Sequence, residues 1–126
     1  MPPTWLPPSW DNHGDKHRPP PGIVWRKLVK ETTGSPGYYL PTVTVQQQRE
    51  WELRCIERTP DGMRYAHGNL ITETNSKRTF WMDAGEVVGA SAGVETRYIF
   101  VEWAVSGAVH GRPISPQELR RKGVDV

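Results

Sequence analysis

Seven of the chain's twelve prolines, Pro2, Pro3, Pro7, Pro8, Pro19, Pro20 and Pro21, fall within its first 22 residues. Each fixes φ near −65°, has no amide hydrogen to donate and drives the residue before it out of the helical region. That confines the stretch to polyproline-like or irregular backbone, and residues 1–22 are predicted to form an extended arm. Residues 23–126 then have the length for a single domain with one modest core. Trp5, Leu6 and Trp10 stand among the prolines, where exposed apolar surface is unfavourable. They are read as partner-binding anchors that dock in a groove of a neighbouring subunit, with folding back over the arm's own domain as the alternative.

Past the arm the pattern changes to short apolar runs between turn residues. Ile23–Val29 reads as a strand ending at the Thr32-Thr33-Gly34-Ser35-Pro36-Gly37 turn, and Tyr38–Val45 as a second whose Pro41 demands an edge or a bulge. From Gln46 no strong helix is evident. Trp51, Leu53 and Cys55 alternate with polar neighbours, which predicts a half-buried strand over Arg49–Arg58. Thr59-Pro60-Asp61-Gly62 is a turn leading into Met63–Ala66 as a hairpin. Leu70–Thr72 and Thr79–Met82 are short strands around the turn Asn75–Arg78, and Gly85, Gly89 and Gly93 bound a closely packed loop. Val94–Val105, apolar on both faces, is predicted to be the central strand. Ser115-Pro116-Gln117-Glu118 is a capping box with proline at the first helical position, so a short helix of about 116–122 closes the chain with Leu119 docked on the sheet. The fold class expected is mainly β, a small antiparallel β-sandwich or barrel, with Trp51, Leu53, Tyr98, Phe100, Val101 and Trp103 in its core.

The function classes open to such a chain are limited. Sixteen basic against fourteen acidic residues give a formal charge of +2, too close to balance to name a partner. One cysteine, Cys55, allows neither an internal disulfide nor a cysteine-based zinc site. No apolar run approaches the roughly 20 residues that span a bilayer, and Met-Pro-Pro-Thr-Trp lacks the layout of a signal peptide. The expectation is a soluble protein with no membrane partner, in the cytoplasm or a virion and not secreted by a signal peptide.

Chemistry-bearing residues offer three further readings. Asp11, His13, Asp15 and His17 recur at every second position, so an extended chain would turn them to one face as metal ligands, the basis of a metal-assisted hydrolase. The run is flanked by prolines and finds no partner ligand elsewhere, so a solvated turn centred on Gly14 is favoured, and no cofactor is expected. His67 and His110 each precede a glycine in predicted turns, and no nucleophile is flagged. Glu102, inside the central strand, is expected to pair with Arg97 or Arg54. Cationic and aromatic residues mix on the strands, with Lys77, Arg78 and Trp81 as the contacts of a small nucleic-acid-binding barrel, although acidic residues lie among them. The layout of an aromatic, proline-rich arm before a compact β-domain resembles the small accessory coat and connector proteins of tailed bacteriophages. That resemblance implies a non-enzymatic structural protein whose partners are other protein subunits, in a homo- or hetero-oligomeric assembly.

Overall fold

A computed structural model describes residues 4–10, 17–34 and 37–126. Its elements run as helix α1 (Trp25–Glu31), strand β1 (Tyr38–Tyr39), helix α2 (Val45–Ile56), strands β2 (Asn69–Glu73), β3 (Lys77–Asp83), β4 (Gly89–Ser91), β5 (Val94–Thr96), β6 (Tyr98–Ala104) and β7 (Val109–Ile114), and helix α3 (Pro116–Arg121). The strands form two antiparallel sheets, β1-β4-β5 and β2-β3-β6-β7, in a mainly β, sandwich-like arrangement with a short C-terminal helix. No helix among the described residues is long and apolar enough to cross a membrane.

Strand register sorts the side chains. Phe80 pairs with Val101, Met82 with Ile99 and Trp103 with Val109, so one face of the larger sheet is a continuous apolar layer. Helix α2 lies over that face and adds Trp51, Cys55 and Ile56 to it. On the opposite face Phe100 and Ile114 are covered by Leu119 of α3. The Ser115 side chain accepts from the Glu118 amide, as the capping box predicts. The 94–105 run is interrupted at Arg97: β5 ends in the small sheet, and β6 sits between β3 and β7 with both faces covered.

Two predicted strands are helices. The Ile23–Val29 stretch is helical from Trp25, in a helix that continues to Glu31 with Leu28 buried, and Tyr38–Val45 keeps strand pairing only at Tyr38–Tyr39 before Pro41 turns the chain. Arg49–Arg58 is corrected more deeply. Gln48, Trp51, Glu52 and Cys55, spaced i, i+3, i+4 and i+7, form the buried stripe of α2, whose first turn is capped by the Thr44 hydroxyl. Leu53, expected in the core, is on the outer side of this helix and 46% exposed. Trp51, Phe100 and Val101 are buried, while Tyr98 and Trp103 are half-buried. Residues Gly89–Ser91, expected in a loop, are strand β4 and wholly buried. Of the two histidines placed in turns, His110 lies within β7.

Candidate functional site

Residues 4–10, with Trp5, Leu6 and Trp10, lie on the chain's own domain, against the turn between β6 and β7. The Leu6 amide donates to the Val105 carbonyl (3.1 Å), Ser9 to Gly107 (2.7 Å), and Val109 in return to Ser9 (2.8 Å), so Ser9 and Ala108 form a parallel bridge. Such a close approach dictates the residue at the turn. Gly107 has φ +96°, and a Cβ there would stand 2.4 Å from the Pro7 carbonyl oxygen.

An indole marks each end of the segment. Trp5 meets Trp103 with ring centroids 5.3 Å apart, and the Arg78 guanidinium lies 4.0 Å over the Trp5 ring and 5.4 Å from that of Trp103. Arg78 and Trp103 are direct cross-strand partners of β3 and β6, which is why they share a face. Glu73 on the neighbouring strand β2 takes the Arg78 Nε–H. Trp103 Nε1 is buried with no hydrogen-bond acceptor. Leu6, next along the chain, is 52% exposed.

At the other end Trp10 Nε1 donates to Glu52 Oε1 (3.0 Å), and the Tyr39 hydroxyl donates to Glu52 Oε2 (2.9 Å). Glu52 is 4% exposed and lies directly over Gly111 of β7, where an added Cβ would come within 2.3 Å of the carboxyl carbon. A side chain at 111 and a carboxylate at 52 exclude one another. Burial pushes the Glu52 carboxyl above its usual range, against the pull of the two hydrogen bonds and of the Arg49 charge. Arg49 also stands 5.9 Å from the Trp10 ring. Burial, then the Glu52 charge, drives the Tyr39 hydroxyl and the Cys55 thiol upward as well, so Cys55 stays a thiol rather than a reactive thiolate. The chemistry available here is stacking and hydrogen bonding to an indole-bearing segment. Between the two ends, Pro8, Leu53, Ile56 and Trp103 wall an open groove of about 450 Å³ rimmed by Glu50, Arg54 and Glu57.

The remaining sequence candidates are dispersed. Lys77 pairs with Glu102 at 3.5 Å, which corrects the expected Arg97 or Arg54 partner of Glu102; Arg97 instead binds Asp83 at 2.7 Å. The Lys77 and Arg78 charges are thus each matched by a carboxylate. Trp81 is on the sheet face opposite Arg78, half-buried and edge-on to Tyr98. Asp11–Lys16 of the Asp-His run lies outside the described residues; His17 is buried, with Nδ1 3.0 Å from the Gly37 carbonyl oxygen. Among the described residues no group of three or more His, Cys, Asp or Glu side chains is placed to hold a metal. Sequence reasoning missed Glu52, Tyr39, Gly107 and Gly111. The one local signal was Thr44-x-x-Gln47, a capping box that would have set Glu52 on a helix.

No family model matches the chain, and neither a curated protein nor a solved structure matches it.

Proposed function

We propose that the chain is a non-enzymatic interaction protein that joins a larger assembly through its N-terminal arm, residues 1–22, with Trp5, Leu6 and Trp10 as the partner-binding groups. The observation that carries the reading is the way residues 4–10 are held. Two half-buried indoles and three main-chain hydrogen bonds fasten the segment to the outside of the β6–β7 turn, while Leu6 stays largely exposed between them. Apart from the single Ser9–Ala108 bridge these contacts stand outside the pairing of β6 with β7. Proline stiffens the segment and lowers the entropy lost when it docks, and each indole brings about 150–250 Å² of surface at about 25 cal/mol per Å². Repeated over many copies, such contacts hold an assembly together. A tailed-bacteriophage particle is the assembly that the sequence layout of arm and domain resembles, and on that reading the protein works in a virion or the cytoplasm.

The test uses the full chain carrying Trp5→Ala with Leu6→Asp, which spares the Trp10–Glu52 bond and so the buried carboxylate. The mass in solution is expected to fall from an oligomer to 14.3 kDa with the circular dichroism spectrum unchanged. A parent that is already monomeric, or an oligomer indifferent to the double substitution, overturns the reading.

A further inference from the structure

We infer that the pocket between the end of α1, the β4–β5 turn and α3 binds a small molecule bearing an oxyanion, a carboxylate or a phosphate, through Arg121. None of residues 4–10 lines it, so the inference is independent of the arm. Its volume is about 520 Å³, within the range of small-molecule sites, and Thr33, Ser91, Ala92, Arg112, Gln117 and Arg121 are among its walls. Charge selects the occupant. Arg112 gives its Nη2–H to Glu118, which also lines the pocket, and lies 5.0 Å over the Phe100 ring, so that this guanidinium and this carboxylate neutralise one another. Arg121 forms no ion pair among the described residues, which leaves the pocket one uncompensated positive charge. Gln117 and Arg121, four residues apart on α3, share one face of the helix and bring a carboxamide and a guanidinium to the same wall. A planar guanidinium fork matches the paired oxygens of a carboxylate or phosphate.

The wall formed by the β4–β5 turn is shaped to stay open. That turn has two residues, Ala92 at φ +54° and Gly93 at φ +82°. Turns of this shape favour Asn or Asp at the first position, because those side chains tolerate left-handed backbone better than alanine does. What alanine supplies is space: Asn would fill part of the pocket, and Asp would add a negative charge to it. Gly93 answers to a separate constraint, since an added Cβ would stand 2.6 Å from Thr33 Oγ1. The Thr32 hydroxyl accepts the Gly93 N–H (2.9 Å) and donates to the Val29 carbonyl (2.6 Å), which pins the turn to the end of α1. Ser91, 1% exposed, adjoins the turn from β4. This wall is therefore set before a ligand arrives, which lowers the ordering cost of binding.

Calorimetric titration of the full chain with inorganic phosphate and, separately, with citrate supplies the test, and the tighter of the two identifies the oxyanion. Saturable binding is expected. Arg121→Gln should weaken it by about tenfold or more, the effect of losing a charge-assisted contact. Arg120→Gln is the matching control: it makes the same change of charge on the adjacent residue, whose Nε donates to the Val126 carbonyl and which does not line the pocket, and it should leave binding unchanged. Ala92→Asp should abolish binding and Ala92→Asn should weaken it less, while both keep or raise the parent's urea midpoint because Asp and Asn accept the left-handed turn. The inference is overturned if neither probe binds saturably, if Arg120→Gln loses as much affinity as Arg121→Gln, or if Ala92→Asp binds as the parent does.

Discussion

The two ends of residues 4–10 grip the domain by opposite means. At Trp10 the receiving group is a carboxylate 4% exposed, carried by α2 and pressed against Gly111, with the half-buried indole closing over it. At Trp5 the receiving group is the Arg78 guanidinium, whose counter-ion Glu73 has a side chain 47% exposed. The receiving carboxylate of the first end is withdrawn from water, whereas at the second only Arg78, 13% exposed, is, and its counter-ion is open to solvent. The same kind of side chain, an indole, is thus tied to the protein's stability at one end and to a reversible surface stack at the other.

The largest effect is expected at the buried end. Glu52→Ala strands the Tyr39 hydroxyl and the Trp10 N–H and opens a cavity, and should lower unfolding free energy by about 2–5 kcal/mol in urea titration. Glu73→Ala, its counterpart at the Trp5 end, removes an exposed ion pair and should cost at most about 1 kcal/mol. Equal losses would erase the distinction between the ends.

A smaller effect separates the indoles themselves. Trp10→Phe keeps the ring but leaves Glu52 Oε1 unpaired, for about 1–3 kcal/mol, whereas Trp5→Phe keeps a stacking face for Arg78 and should stay within about 0.5 kcal/mol. A Trp5→Phe variant as unstable as Trp10→Phe would mean that the Trp5 end is not the reversible one.

The pH dependence sharpens the contrast further. The Glu52 carboxyl is raised in the folded protein, so its protonated form is favoured there, and the associated stability is fully present below the ordinary carboxylate range. That contribution is lost as pH rises through the raised value. Asp83 and Asp61 are shifted downward at the surface, mainly by hydrogen bonds from Arg97 and Thr59, and act in the opposite direction. The measurement is therefore a difference. Urea midpoints of the parent relative to Glu52→Gln, followed from pH 4 upward, should decline; a flat difference would show that burial does not govern this carboxylate.

How much of this was legible in the sequence depended on the distance over which each feature is determined. Helix α3 is announced within four residues by Ser115-Pro116-Gln117-Glu118, and β3 and β6 by dense runs of aromatic and branched residues. Helix α2 carries an equivalent cap at Thr44, yet its buried stripe includes Gln48 and Glu52, so the apolar residues that remain, Trp51, Leu53 and Cys55, mimic the alternation of a strand. Tertiary burial of a carboxylate overrode the pattern. The Trp10–Glu52 bond spans 42 residues, and the need for glycine at 111 follows from that same buried group, so neither leaves a local trace. Trp5 and Trp10 were conspicuous because proline surrounds them; the surfaces that meet them were not.

Cys55, the chain's single thiol, sits on α2 one turn beyond Glu52 and is fully enclosed. A thiol reagent in solution can reach it only when α2 lifts from the sheet, which makes labelling at this one atom a clock for local opening. Because Glu52 anchors Trp10 from the same helix, the clock is geared to the N-terminal segment: its ticking should quicken whenever residues 4–10 leave the domain and slow when they return.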